Sequence, residues 1–262
     1  MRRLSLYISP CPNDTFAFDA IINGRIKNTV AEFSTEYHDI EELNCAVLAG
    51  VPDICKISYS VYPKIADRYA LLDSGSALGR GNGQLLVRRK SESGAIKSVI
   101  TPGVNTTAHA LLLRYFPDVQ TSSMLFSDIA EAVERGDADA GVLIHEGRFV
   151  YERRDLELVA DLGQLWERET SLPLPLGAIV IKRELGEELQ HNFEKLLSDS
   201  VRFAFDNPQL SRNFVKEHAQ ELEDEVIDKH ISLFVNKFTI SLGDEGWAAV
   251  TRLTGIQSPQ KG

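Results

Sequence analysis

Of the six histidines in this 262-residue sequence, His145 stands where a proton-transfer group would be expected. Residues 140–144, Ala-Gly-Val-Leu-Ile, read as a short buried strand that delivers His145 and Glu146 at its carboxyl end. Before it, residues 129–135 have helical spacing and stop at Gly136, a left-handed terminator. Open α/β sheets bind ligands at the carboxyl ends of their strands. An imidazole there titrates near neutrality, which makes His145 the candidate general base. Glu146 follows directly, and neighbours on an extended backbone point to opposite sides, so the two need not form a dyad.

The other candidates are groups that could hold a ligand. Lys56 and Ser58 alternate onto one face of the apolar run 53–59, which suits gripping an anion; Lys56 reads equally as a solvated strand end. The segment Ser9-Pro10-Cys11-Pro12-Asn13-Asp14-Thr15 joins a strand (4–8) to a helix (16–22). Asn13 or Asp14 can cap that helix, whose first amides could seat a carboxylate or phosphate. Thr106 and Thr107 open a second helix, with His109 just behind them. Arg148 is either a structural cation or an anion ligand. His38, His191, His218 and His230 read as surface or packing residues. Two acidic clusters, Glu184, Glu187 and Glu188, and Glu221, Glu223, Asp224 and Glu225, sit near helix starts and read as solvated faces.

Several chemistries are excluded. Cys11, Cys45 and Cys55 form no CxxC pair, so neither a disulfide framework nor a zinc site is expected. There is no G-x-S-x-G elbow, Walker loop or HExxH pair. Gly79, Gly81 and Gly83 precede a strand (84–88) instead of opening a helix, so they are not a dinucleotide fingerprint but a flexible loop before a crossing between lobes. The net charge of −10 has no basic stripe to offset it, which argues against nucleic acid. No apolar segment approaches the ~20 residues of a membrane span, and the short apolar start is no signal peptide, so a cytoplasmic protein is expected.

The elements that must position these residues fall into two similar halves. Ser9 to Ala20 and Thr101 to Leu112 share a strand, a proline-containing turn, a polar cap and a helix; residues 48–54 and 134–140 match in the same way. The repeat predicts two lobes of parallel βαβ units. It sets Lys56, Ser58 and Tyr59 of one half against Val142, Ile144 and His145 of the other, across a cleft. Two crossings, near 84–88 and 178–181, connect the lobes, which predicts one lobe from 1–88 and 178–262 and the other from 89–177. Helices follow over 186–205, 209–218 and 222–234, with Ser241-Leu242-Gly243-Asp244 as a capping box for the last, 245–253. A polar tail begins at Gln257.

Together these residues resemble the 1,4-dihydroxy-6-naphthoate synthase family of the futalosine route to menaquinone. The motifs are Ser9-Pro10-Cys11-Pro12-Asn13-Asp14-Thr15-Phe16, Lys56-Ile57-Ser58-Tyr59, Gly79-Arg80-Gly81, Pro102-Gly103 with Thr106-Thr107-Ala108, Ile144-His145-Glu146, and Leu172 to Gly177. The first and the fifth are the specific ones. The resemblance implies an α/β, two-lobe type II periplasmic-binding-protein-like fold with a ligand cleft between the lobes. It implies a carbon–carbon lyase that turns cyclic dehypoxanthinyl futalosine, a small anionic carboxylate, into 1,4-dihydroxy-6-naphthoate without metal or organic cofactor. His145 matches the family's proton acceptor. Lys56, Ile57 and Ser58, with Thr107 and Ala108, match its substrate-binding segments, and Thr106 and Asn13 adjoin them. A non-catalytic two-lobe anion-binding protein and the related chorismate dehydratase are the alternatives. The oligomeric state, monomer or homodimer, is left open.

Overall fold

The computed structural model describes residues 2–145, 147–219 and 223–257. Glu146, Glu221, Leu222 and the polar tail beyond Gln257 lie outside them. Leu4, Leu6 and Ile8 are buried with strand periodicity and form β1 (Arg3–Ile8). Then come α1 (Pro12–Ile22), β2 (Glu32–Tyr37), α2 (Ile40–Leu48) and β3 (Ile54–Ser58). A 3-10 turn (Tyr59–Lys64) leads to β4 (Tyr69–Leu71) and β5 (Ala77–Gly79). The chain now leaves this sheet for β6 (Leu85–Arg89), β7 (Ser98–Thr101), α3 (Thr107–Tyr115), β8 (Gln120–Ser123), α4 (Ile129–Arg135) and β9 (Ala140–Leu143). The short helix α5 (Gly147–Val150), β10 (Leu156–Asp161) and α6 (Leu162–Thr170) complete the second half. Strand β11 (Leu174–Lys182) returns to the first sheet, and α7 (Glu187–Asp206), α8 (Pro208–His218), α9 (Asp224–Phe234), α10 (Lys237–Ile240) and α11 (Gly243–Thr254) follow.

The two sheets share one plan. In the first, β1 lies parallel to β2 and β3, and β11 runs antiparallel to β3. In the second, β7 lies parallel to β8 and β9, and β6 runs antiparallel to β9. Each half therefore lends the other its closing strand. Both faces of each sheet are covered, as parallel strands require. Leu6, Phe18 and Phe193 lie in one core of the first sheet, and Leu43, Tyr59 and Val250 in the other. Ile129 and Val133 of α4 cover one face of the second sheet, with Leu111 of α3 and Trp166 of α6 on the opposite one.

Several details depart from the sequence reading. Strand β6 is hydrogen-bonded to both β9 and β10, so residues 85–88 belong to the second lobe. Strand β11 joins the first sheet already at Leu174, opposite Gly79. Helix α1 begins at Pro12, capped by the backbone of Cys11, because proline in the first turn fixes a helical φ and needs no N–H partner. Asn13 and Asp14 thus sit inside the first turn and their side chains are used elsewhere. Leu242, in helical conformation, precedes α11 and there is no capping box; Ser241 Oγ donates to Asp73 instead. The glycine-containing stretch 74–83 is not an open loop: it holds β5, and Ser74, Ser76 and Asn82 are buried.

Candidate active site

The carboxyl ends of β3 and β9 meet at a cleft of about 640 Å³, its open mouth included. Strand alternation turns Lys56 and Ser58 of β3 towards it and sends Ile57 into the core beneath, where it is fully buried. Ile57 is therefore not part of the cleft wall. Ser9 and Asn13 line the same side, from the β1–α1 junction. Thr106, Thr107 and Ala108 at the start of α3 line the other, with Ile144 and His145 just past β9. Sequence positions from both halves thus converge as the repeat predicts.

His145 has φ of 48°, a left-handed backbone that histidine tolerates better than most residues but that costs of order 1–3 kcal/mol. Such conformations concentrate at functional sites. This turn aims the ring back between Phe126, whose centroid is 4.9 Å away, and His230, whose ring lies parallel to within 3° at 5.9 Å. Burial is the main cause that pushes the His145 pKa down to about 4; the Lys56 ammonium acts in the same direction, and the Asp14 carboxylate opposes it. The imidazole is consequently neutral at physiological pH, the form a base requires.

Behind the ring runs a buried polar network. Asp14 accepts from Lys56 Nζ and Asn13 Nδ2 at 2.7 Å each on Oδ1, and from Ser9 N and Oγ at 3.2 and 2.7 Å on Oδ2. With its amide donating to Asp14, Asn13 presents Oδ1 to His230 Nε2 at 2.9 Å. That orientation makes His230 the donor, so its Nε2 carries the proton. His230 is fully buried and its pKa is held well below the ordinary range, chiefly by desolvation. Lys56, 5% exposed, has its charge balanced by Asp14.

Thr106 Oγ1 accepts from His109 N and donates to Gly103 O, fixing the start of α3. Thr107 Oγ1 donates to Leu176 O of β11 at 2.9 Å, tying the two lobes. Thr107 and Ala108 line the cleft, and their amides precede the internal bonds of the helix, so they are N–H groups available to an oxyanion there. Ser58 Oγ accepts from Asn44. His109 bonds Thr101 instead and is not in the wall. Arg148 does line the cleft, with Asp161 at 3.8 Å, as does Gln84.

From the sequence Asp14 reads as a helix cap and His230 as a surface or packing residue; the fold instead places both in the network behind His145. His230 shares the face of α9 with the buried Val226, Ile227 and Phe234. A polar ring on an apolar stripe was the available signal. Glu223 and Asp224 of the second acidic cluster pair with Arg153, Lys216 and Arg212 at the surface, outside the site. Among the described residues no three His, Cys, Asp or Glu side chains are grouped to hold a metal, and no helix is long and apolar enough to cross a membrane.

Two equivalent α/β lobes with a cleft at their strand ends define a periplasmic-binding-protein-like protein. Solved structures share that fold. One from Candida albicans, described as exhibiting the generic periplasmic binding protein fold, superposes with a TM-score of 0.73 at 9% identity, covering 97% of this chain and 90% of its own. An Archaeoglobus fulgidus protein reaches 0.92 at 30% identity, with 97% and 96% covered. Within this class the chain matches the menaquinone biosynthesis family model over residues 4–258, and it belongs to that family. Relatives named 1,4-dihydroxy-6-naphthoate synthase from Streptomyces coelicolor and Thermus thermophilus are 41% and 42% identical. The alignments cover 95% and 97% of this chain, and 91% and 93% of theirs.

Proposed function

We propose that this protein is a 1,4-dihydroxy-6-naphthoate synthase, a carbon–carbon lyase acting on cyclic dehypoxanthinyl futalosine in the cytoplasm. The observation that carries the reading is His145: an imidazole kept neutral by its surroundings, on a strained backbone, lining the same cleft as the first residues of α3. In this reading His145 removes the proton next to a carbonyl, and the electron pair moves onto the carbonyl oxygen. The amides of Thr107 and Ala108 stabilise that oxyanion. The enolate pair then re-forms the carbonyl and expels the sugar remnant; the electron pair of the broken carbon–carbon bond takes up the proton that His145 carries, and enolisation to the aromatic ring drives release. Lys56 and Ser58 add donors on the facing wall, and Asn13 holds the group behind His145. The substrate is a small anionic carboxylate, and the mechanism calls on protein groups alone.

Turnover tests this directly. Wild-type protein should form 1,4-dihydroxy-6-naphthoate from the cyclic substrate, detected by mass spectrometry. His145→Ala should lose ~10²–10⁴-fold in kcat while retaining substrate binding, the range typical of a lost general base. A folded wild type that binds the compound and yields no product would be a binding protein, and the lyase reading would fail.

A further inference from the structure

Beyond His145 the cleft holds a second polar group that the reaction outlined above leaves unused. Gln84, at the start of β6, is 6% exposed, and the structure gives its Oε1 no hydrogen-bond partner among the described residues. Arg148, three residues past His145, has a side chain only 12% exposed, and its Nη1 has none either. Buried polar atoms are nearly always paired, and one left unpaired costs about 1–3 kcal/mol. Two on adjoining parts of one cleft wall call for an explanation.

The charges around the cleft supply it. Lys56, the other cation on the wall, is already bonded to Asp14 at 2.7 Å. The carboxylate beside Arg148 is differently placed. Asp161 Oδ1 caps α6 by accepting from Gly163 N and Gln164 N, and Oδ2 stands 3.8 Å from Arg148 Nη2, beyond hydrogen-bonding range. Of the two cations on the cleft wall, Arg148 is thus the one whose donors are less satisfied, in a protein of net charge −10. Burial in turn lowers its pKa, so the free site stores a desolvation cost that a bound anion would relieve. A planar guanidinium suits the two oxygens of a carboxylate, and Gln84 Nε2 can add a donor to it; the unpaired Gln84 Oε1 is an acceptor and meets a ligand hydroxyl or an Arg148 N–H, not the carboxylate.

We propose that Arg148 and Gln84 form the seat for the carboxylate of the substrate and product, separate from the α3 amides that meet the oxyanion. The assignment rests on the synthase reading above. It gives the ligand two poles: the carboxylate at the second-lobe wall and the reacting carbon between His145 and α3. It also makes Lys56 a fixed partner of Asp14 more than a carboxylate clamp.

Binding of 1,4-dihydroxy-6-naphthoate and of its neutral 6-carboxamide, measured anaerobically by calorimetry, separates the possibilities. Wild type should prefer the carboxylate by ~10-fold or more, the scale of one charged hydrogen-bonded contact. Arg148→Met should bring that ratio close to one while leaving carboxamide affinity within about threefold. Arg148→Lys should recover part of the preference, and Gln84→Leu should weaken carboxylate binding by a smaller factor. A preference undiminished in Arg148→Met, or equal losses for both compounds, would overturn the seat. Turnover of the cyclic substrate by wild type is run alongside. If turnover is present and the preference is indifferent to Arg148, only the seat fails. If wild type neither turns over substrate nor binds the naphthoate, both readings fail.

Discussion

At the scale of single residues, the site works by half-burying an imidazole between two other rings. An exposed histidine near neutrality would be partly protonated and unable to accept a proton. Burial between Phe126 and His230 lowers the His145 pKa from 6.5 to about 4, which keeps the base form populated but makes it a weaker base. The pH dependence follows with a definite sign. Because the neutral form is active, kcat/KM should stay on its plateau as pH falls through 6.5 and decline only as it approaches about 4. A measured acid limb at 6.5 would mean that the free enzyme holds His145 in a far more hydrated setting.

At the scale of elements, the position of Gln84 is set by a contact between two glycines. Gly83 lies against Gly163 at the start of α6, and a Cβ on Gly83 would stand 2.3 Å from Gly163 Cα and N. The Gln84 carbonyl also accepts from Leu162 N. The crossing into β6 is therefore locked to the start of α6 by backbone alone. Gly83→Ala should force the two segments apart, lowering stability by about 1–3 kcal/mol and raising KM, since the shift displaces Gln84 from the wall. Gly94→Ala, where an added Cβ meets nothing within 4 Å, serves as the control in the same thermal and kinetic assays.

At the scale of the whole molecule, the same burial that prepares the base makes folding sensitive to acid. His145 and His230 both have pKa values lowered in the folded protein, and the unfolded chain restores them to about 6.5. Above that pH neither state is protonated and their contribution is fully present. As pH falls below it, the unfolded state takes up protons that the folded state refuses, so stability is lost, at most ~1.4 kcal/mol per pH unit for each histidine. Denaturant unfolding between pH 7 and 5 should show this slope, and His230→Phe should reduce it. An unchanged slope in that variant would show that other groups govern acid sensitivity. Thr107 with Leu176, and Asn105 with Glu41, join the two lobes around the same cleft.

The sequence alone determined the parts governed by local rules. Alternating apolar residues specified β1, short apolar runs specified β3 and β9, Gly136 marked the end of α4, and the internal repeat placed Lys56 and Ser58 opposite His145. These are properties of a few consecutive residues, or of two copies of one pattern. Only the tertiary structure decided what those residues do. Asn13 and His230 are 217 positions apart in the chain, and their hydrogen bond exists because α9 packs on α1. Neither its donor direction nor the stacking on His145 leaves a periodic trace. Lys56 reads in sequence as a free cation until Asp14 is folded against it, and Arg148 reads as undecided until Asp161 proves to be occupied with α6. Charge balance and desolvation are sums over neighbours from distant segments, so they become definite only when the two lobes close on each other.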